Sequence, residues 1–143
     1  QKKVDIFLVL IGQGQEKQKL KDLVDRLNIK KKVFFLKYKS NPLPYMKKAK
    51  LYVSLSEYEG QPNSVIQSLG CGTNVLIKKF PGLHKNLKRS ENLIILNRLD
   101  HFKTESTILE YIKKNKKKTY NKKILNKFGE KQFMKKISKL IYV

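Results

Sequence analysis

The residue types best suited to chemistry in this chain fall between Ser54 and Gln67. The stretch Ser54-Leu55-Ser56-Glu57-Tyr58-Glu59-Gly60-Gln61-Pro62-Asn63-Ser64 places two carboxylates, Glu57 and Glu59, in a sequence that has only eleven acids. Gly60 permits a close backbone approach, and Pro62 suits the first position of a helix, where its missing N–H is no loss. The amides of Asn63, Ser64 and Val65 would then find no carbonyl within their own helix, and with the helix dipole they form an anion site. Gln67 follows Asn63 by four residues and Ser64 by three, so it shares their helix face. A carboxylate beside a phosphate-ready helix end suits a ligand bearing both phosphate and hydroxyl groups. The plainer alternative is a capped helix preceded by a solvated acidic loop.

Other chemistries find little support. Gly12-Gln13-Gly14 could cradle a phosphate, but a lone GxG is equally a tight strand-to-helix turn. No P-loop is present. His84 and His101 lie far apart without ligand-type neighbours, so no metal is expected. Cys71, the single cysteine, rules out an internal disulfide and reads as a small core filler between Gly70 and Gly72. Phe and Tyr residues are expected mostly on core faces, with Tyr38 and Tyr45 as exceptions.

The elements that must carry these residues alternate between short apolar runs and amphipathic stretches, the pattern of a parallel α/β sheet with helices on both faces. Residues 6–11 (IFLVLI) read as a fully buried strand, and 15–28 as a helix with Leu20, Leu23, Val24 and Leu27 inward. Strands are expected at 33–36, 51–54, 74–77 and 93–96, with helices at 42–49 and 62–69. Residues 105–114 and 121–141 read as further helices around a lysine-rich linker, forming a basic tail from 101 to 143 that packs on the domain of residues 1–100. Ligands of such sheets bind beyond the carboxyl ends of the strands. The loops there are 12–14, 37–41, 55–61 and 78–87.

The net charge of +22 points toward polyanions, yet the basic residues are 30 Lys and only 3 Arg. Readers of nucleic acid lean on Arg for bidentate contacts. Lys, Asn and Ile together supply 52 of the 143 residues, and all three have A/T-rich codons. Compositional bias therefore accounts for much of the charge, and nucleic acid is disfavoured as the partner. The longest uncharged apolar run has six residues, far below the roughly 20 that span a bilayer. No signal peptide opens the sequence, so a cytoplasmic domain is expected. The tail from residue 101, at net +10, suits peripheral contact with an anionic membrane at its inner face.

Residues 6–96 resemble the nucleotide-sugar-binding, C-terminal half of the family 4 (group 1) retaining glycosyltransferases, which have the GT-B fold. IFLVLIGQG at 6–14 resembles the family's first strand and G-x-G turn, NIKKKVFFL at 28–36 the strand before the base-binding loop, and NPLPYMKKA at 41–49 its short N-x-x-P-Y helix. LYVSLSEYEGQPNSVIQSLGCGT at 51–73 is similar to the most specific segment, Ser-x-x-Glu-Gly-x-Pro-Asn followed by a helix ending Ala-Cys-Gly-Thr. The resemblance implies that Glu59 is the first acid of the E-x7-E motif and contacts the donor sugar near the reacting centre. It implies that Asn63, Ser64 and Val65 hold the diphosphate, that Gln67 takes the place of the acid that bonds the ribose, and that Lys37 and Tyr38 read the base. No metal or other cofactor is implied; the nucleotide-diphosphate sugar is a substrate.

The departures from the family pattern are specific. Gln67 replaces Glu and loses a charge-assisted bond, a difference of about 1–2 kcal/mol. Lys37 stands where Gly is usual, Lys50 where Asp is frequent, and Lys85 where an acid is common. The family's diphosphate-clamping Arg and Lys, and its acceptor-binding N-terminal domain, would precede residue 6. The expectation is a donor half that binds weakly and transfers nothing alone. Two alternatives are a non-catalytic relic or partner subunit, and a basic polyanion-binding module.

Overall fold

The computed structural model describes residues 5–60, 62–83, 87 and 90–113. The expected helix at 121–141, the linker before it, His84 and Lys85 lie outside these. The chain divides into two compact units, residues 1–42 and 43–143.

In the first unit β1 (Leu8–Ile11) pairs in parallel with β2 (Val33–Leu36), Leu8 opposite Val33 and Ile11 opposite Leu36. They are joined by α1 (Lys17–Arg26). The reading of 6–11 as a fully buried strand fails: Phe7, Leu8 and Val9 are 46–56% exposed. Of the four α1 residues expected inward, Val24 is buried, whereas Leu20, Leu23 and Leu27 are exposed. Two strands about 5 Å apart are narrower than a helix about 10 Å across, so the pair covers only part of the stripe. Phe7 and Phe34 lie 6.0 Å apart on the face shared with Val9, and all three are exposed. α1 ends in a Schellman motif: Asn28 N–H bonds Asp25 O, Ile29 N–H bonds Val24 O, and Asn28 adopts φ 51°.

The second unit runs α2 (Leu43–Lys48), β3 (Leu51–Ser54), α3 (Asn63–Gly70), β4 (Asn74–Lys78), β5 (Leu93–Leu96) and α4 (His101–Lys113). Its sheet is parallel, in the order β3-β4-β5. Val75, Leu76 and Ile77 have no exposed surface, so β4 is covered on both faces. Val65, Ile66 and Leu69 from α3 pack with Val75, Ile77, Phe80, Leu83 and Leu87, and Tyr52, Leu93 and Ile95 close this core. α4 packs against β3. It starts at 101 rather than 105 because Asp100 caps it, accepting Lys103 N–H at 2.7 Å through Oδ1.

α3 also ends in a Schellman motif, with Gly72 N–H to Leu69 O, Thr73 N–H to Ser68 O, and Gly72 at φ 74°. Thr73, wholly buried, donates its hydroxyl to Met46 O at 2.6 Å and so satisfies a carbonyl at the end of α2. Cys71 is buried, as a core filler should be. The Ser68 hydroxyl is buried without a hydrogen-bond partner among the described residues. Ser68→Ala removes that penalty and improves helix propensity. The expected outcome is a gain of about 1 kcal/mol, or roughly 4 °C in Tm for a domain of this size; thermal denaturation of the two proteins checks it.

Candidate functional site

At the carboxyl edge of β1 and β2, the turn at Gly12–Gly14 and the loop starting at Lys37–Tyr38 are tied together. Gly12 N–H donates to Leu36 O at 3.2 Å. Gly12 takes φ 149°, which disfavours any side chain there. A Cβ on Gly14 would meet nothing within 4 Å. Lys37 and Tyr38 are exposed, Tyr38 at 69%. This edge brings together all four residues expected in the first unit.

The other seven gather at the carboxyl edge of the second sheet, between β3 and α3. Pro62 is the cap of α3 rather than its first helical residue, because its φ and ψ of −77° and 67° are not helical. Its carbonyl still accepts the first helical bond, from Ile66 N–H at 3.0 Å. The amides of Asn63, Ser64 and Val65 are thereby left with no acceptor in their own helix, as the anion-site reading requires. Pro62 and Val65 are buried, with the Val65 side chain in the core, so only the Val65 amide is offered to a ligand. Asn63 is exposed, while Ser64, Gln67 and Glu59 are half-buried. A Cβ on Gly60 meets nothing within 4 Å and its φ is ordinary, so the protein's own packing does not demand glycine there.

Two features of this edge escape a reading by sequence. Glu57 pairs with Lys78, the last residue of β4, whose Nζ donates to Glu57 Oε1. That hydrogen bond, and then the lysine's charge, hold the Glu57 carboxyl below the usual carboxylate range. The pairing spans 21 residues and depends on the strand register, which no local pattern encodes. A cleft of about 380 Å³ also opens at the end of β5, lined by Asn97, Arg98, Asp100 and Lys103 among others. Several aromatics expected on core faces are exposed: Phe7, Phe34, Tyr58 at 82% and Phe102 at 85%.

Parallel strands flanked by helices, with a glycine turn and helix-start amides that have no intrahelical acceptor at the carboxyl edges, define a Rossmann-like α/β protein. The chain belongs to the glycosyl transferases group 1 family, whose model matches residues 1–127. It is 33% identical over 126 residues to N-acetylgalactosamine-N,N'-diacetylbacillosaminyl-diphospho-undecaprenol 4-alpha-N-acetylgalactosaminyltransferase of Campylobacter jejuni, covering 82% of this chain and 34% of that protein. It therefore spans about a third of that relative's length. Among solved structures it resembles Anabaena Alr3699/HepE in complex with UDP-glucose, with a TM-score of 0.72, 17% identity, and coverage of 94% of this chain and 40% of that one. It also resembles WaaG, a glycosyltransferase involved in lipopolysaccharide biosynthesis, with a TM-score of 0.66, 15% identity, and coverage of 74% and 29%. These structural likenesses bear out the Rossmann-like α/β fold expected of one half of a GT-B protein. Among the described residues no helix is long and apolar enough to cross a membrane.

The folded Glu57 value lies below the ordinary 4.5. The Lys78 pairing therefore stabilises the fold above that pH and is lost as pH falls through the lowered value. Carboxyl-detected NMR should show Glu57 titrating below a free glutamate, and Lys78→Met should return it toward 4.5.

Proposed function

We propose that this chain is the donor-binding half of a retaining glycosyltransferase that moves a sugar from a nucleotide-diphosphate sugar to a glycan or lipid-linked acceptor. The observation that carries the reading is the edge between β3 and α3: Glu59 and Gly60 precede the start of α3, where the amides of Asn63, Ser64 and Val65 have no acceptor in their own helix. When the glycosidic bond to the diphosphate breaks, negative charge grows on the leaving phosphate oxygens. Fixed amides and the helix dipole stabilise that charge without reorganising, so no metal is required. Glu59 acts at the sugar, Gln67 bonds the ribose hydroxyls as both donor and acceptor, and Lys37 with Tyr38 meets the base.

The UDP-glucose complex of the Anabaena protein supports a nucleotide-sugar donor. The Campylobacter relative, named for a diphospho-undecaprenol acceptor, supports a lipid-linked acceptor and hence work on envelope polysaccharide or lipopolysaccharide at the inner membrane face. The acceptor would be held by an N-terminal domain outside this chain, so residues 1–143 alone bind donor without turnover.

An amide-shift NMR titration with UDP, GDP and a short RNA, at low and then moderate salt, tests the reading. Saturable shifts at 59–67, 12–14 and 37–38 with one nucleotide, persisting in salt, are expected. Equal, salt-erased shifts on lysines for all three ligands would instead fit a polyanion binder.

Gln67 in the ribose position favours a second reading, a relic that keeps the fold without turnover. Gln67→Glu restores the charge-assisted bond, and a rise in UDP affinity of about five- to thirtyfold is expected by calorimetry. An unchanged affinity would remove Gln67 from the site.

A further inference from the structure

The loop 55–60 presents Glu59, itself half-buried, yet few hydrogen bonds among the described residues hold the loop. Among the described residues no backbone hydrogen bond reaches it, and the Ser54–Ser56 hydroxyl contact, at 3.4 Å, is local. The contact that arrives from another element is Lys78 on Glu57. The two partners are unequal. The Lys78 side chain is only 20% exposed and follows three residues of β4 that are wholly buried, so packing fixes its stem. Glu57 is 67% exposed, so packing fixes it far less. The register sets Ser54 opposite Ile77, which puts Lys78 one step past the last paired position, beside the point where the loop leaves the sheet.

We infer that the Lys78–Glu57 ion pair is a positioning device that ties the acid-bearing loop to β4 and so sets Glu59 and the approach to α3. Neither residue needs to touch the donor; Lys78 acts through Glu57, and Glu57 through the two-residue span to Glu59. What the loop receives rests on the function proposed above, whereas the tether itself does not. The competing arrangement, in which Lys78 bonds the diphosphate directly and Glu57 merely occupies it beforehand, predicts the opposite sign for loss of Glu57.

The experiment compares the full 143-residue chain with Glu57→Gln, Lys78→Met and the exchanged pair Glu57→Lys/Lys78→Glu, measuring UDP affinity and the amide relaxation of residues 55–60. Each single change should weaken UDP about three- to tenfold, because binding must then order the loop. Fast loop motion should rise in both, and the exchanged pair should recover both readouts. Tighter UDP binding by Glu57→Gln, or loop relaxation unchanged in that surface variant, overturns the inference. If the wild-type chain binds no UDP, the functional reading fails and relaxation alone decides the tether: loosening in the single variants with recovery in the exchanged pair sustains it, and unchanged motion overturns it.

Discussion

Burial of β4 on both faces is the constraint on which the second unit depends. Val75, Leu76 and Ile77 lose all contact with water, and burying such side chains is worth about 1.5–3 kcal/mol each. With Leu76 facing away from Val75 and Ile77, the strand needs cover on two sides and neighbours along both edges, which β3 and β5 supply in parallel. Parallel pairing in turn requires crossovers on the faces, and α3 is the crossover that fills one of them. The position of the α3 start, with amides at the carboxyl edge that have no acceptor in their own helix, follows from that requirement.

The first unit shows what a smaller covering area does. Its two strands and one helix bury Val24 and Val33 but leave a broad apolar surface on Phe7, Val9 and Phe34. Hydrophobic pattern alone could not separate these cases, since IFLVLI and NVLIK are both apolar runs between polar bounds. The difference lies in how many neighbours each strand has, which is a property of topology.

Much of the rest was legible. Strands 33–36, 51–54 and 93–96 form where their apolar runs stand, and Gly72 marks the end of α3 by the positive φ that its Schellman turn needs. The start of α3 was legible because its signals are local: a glycine and a proline lie within three residues of it. The start of α4 was missed because the apolar residue of its first turn, Phe102, is 85% exposed and adds nothing to the inward face. Lys78 with Glu57 was illegible for a different reason: the pair exists only through the register of β3 on β4.

The two Schellman turns, at Asn28 and Gly72, both lie on the amino-terminal side of a strand: Gly72 just before β4, and Asn28 before β2 with one 3-10 turn, Lys30–Lys32, between them. The residues that could meet a ligand lie at the carboxyl ends. In each unit the turn that ends the helix is therefore separated from the candidate ligand edge by the length of a strand, whereas Gly12 puts one constrained turn at that edge itself. Loops such as 37–41 and 55–60 can exchange side chains without disturbing the turns that let the chain fold. A scaffold divided this way can diversify the molecules it handles by substitution along one edge, while selection at the opposite edge keeps its stops in place.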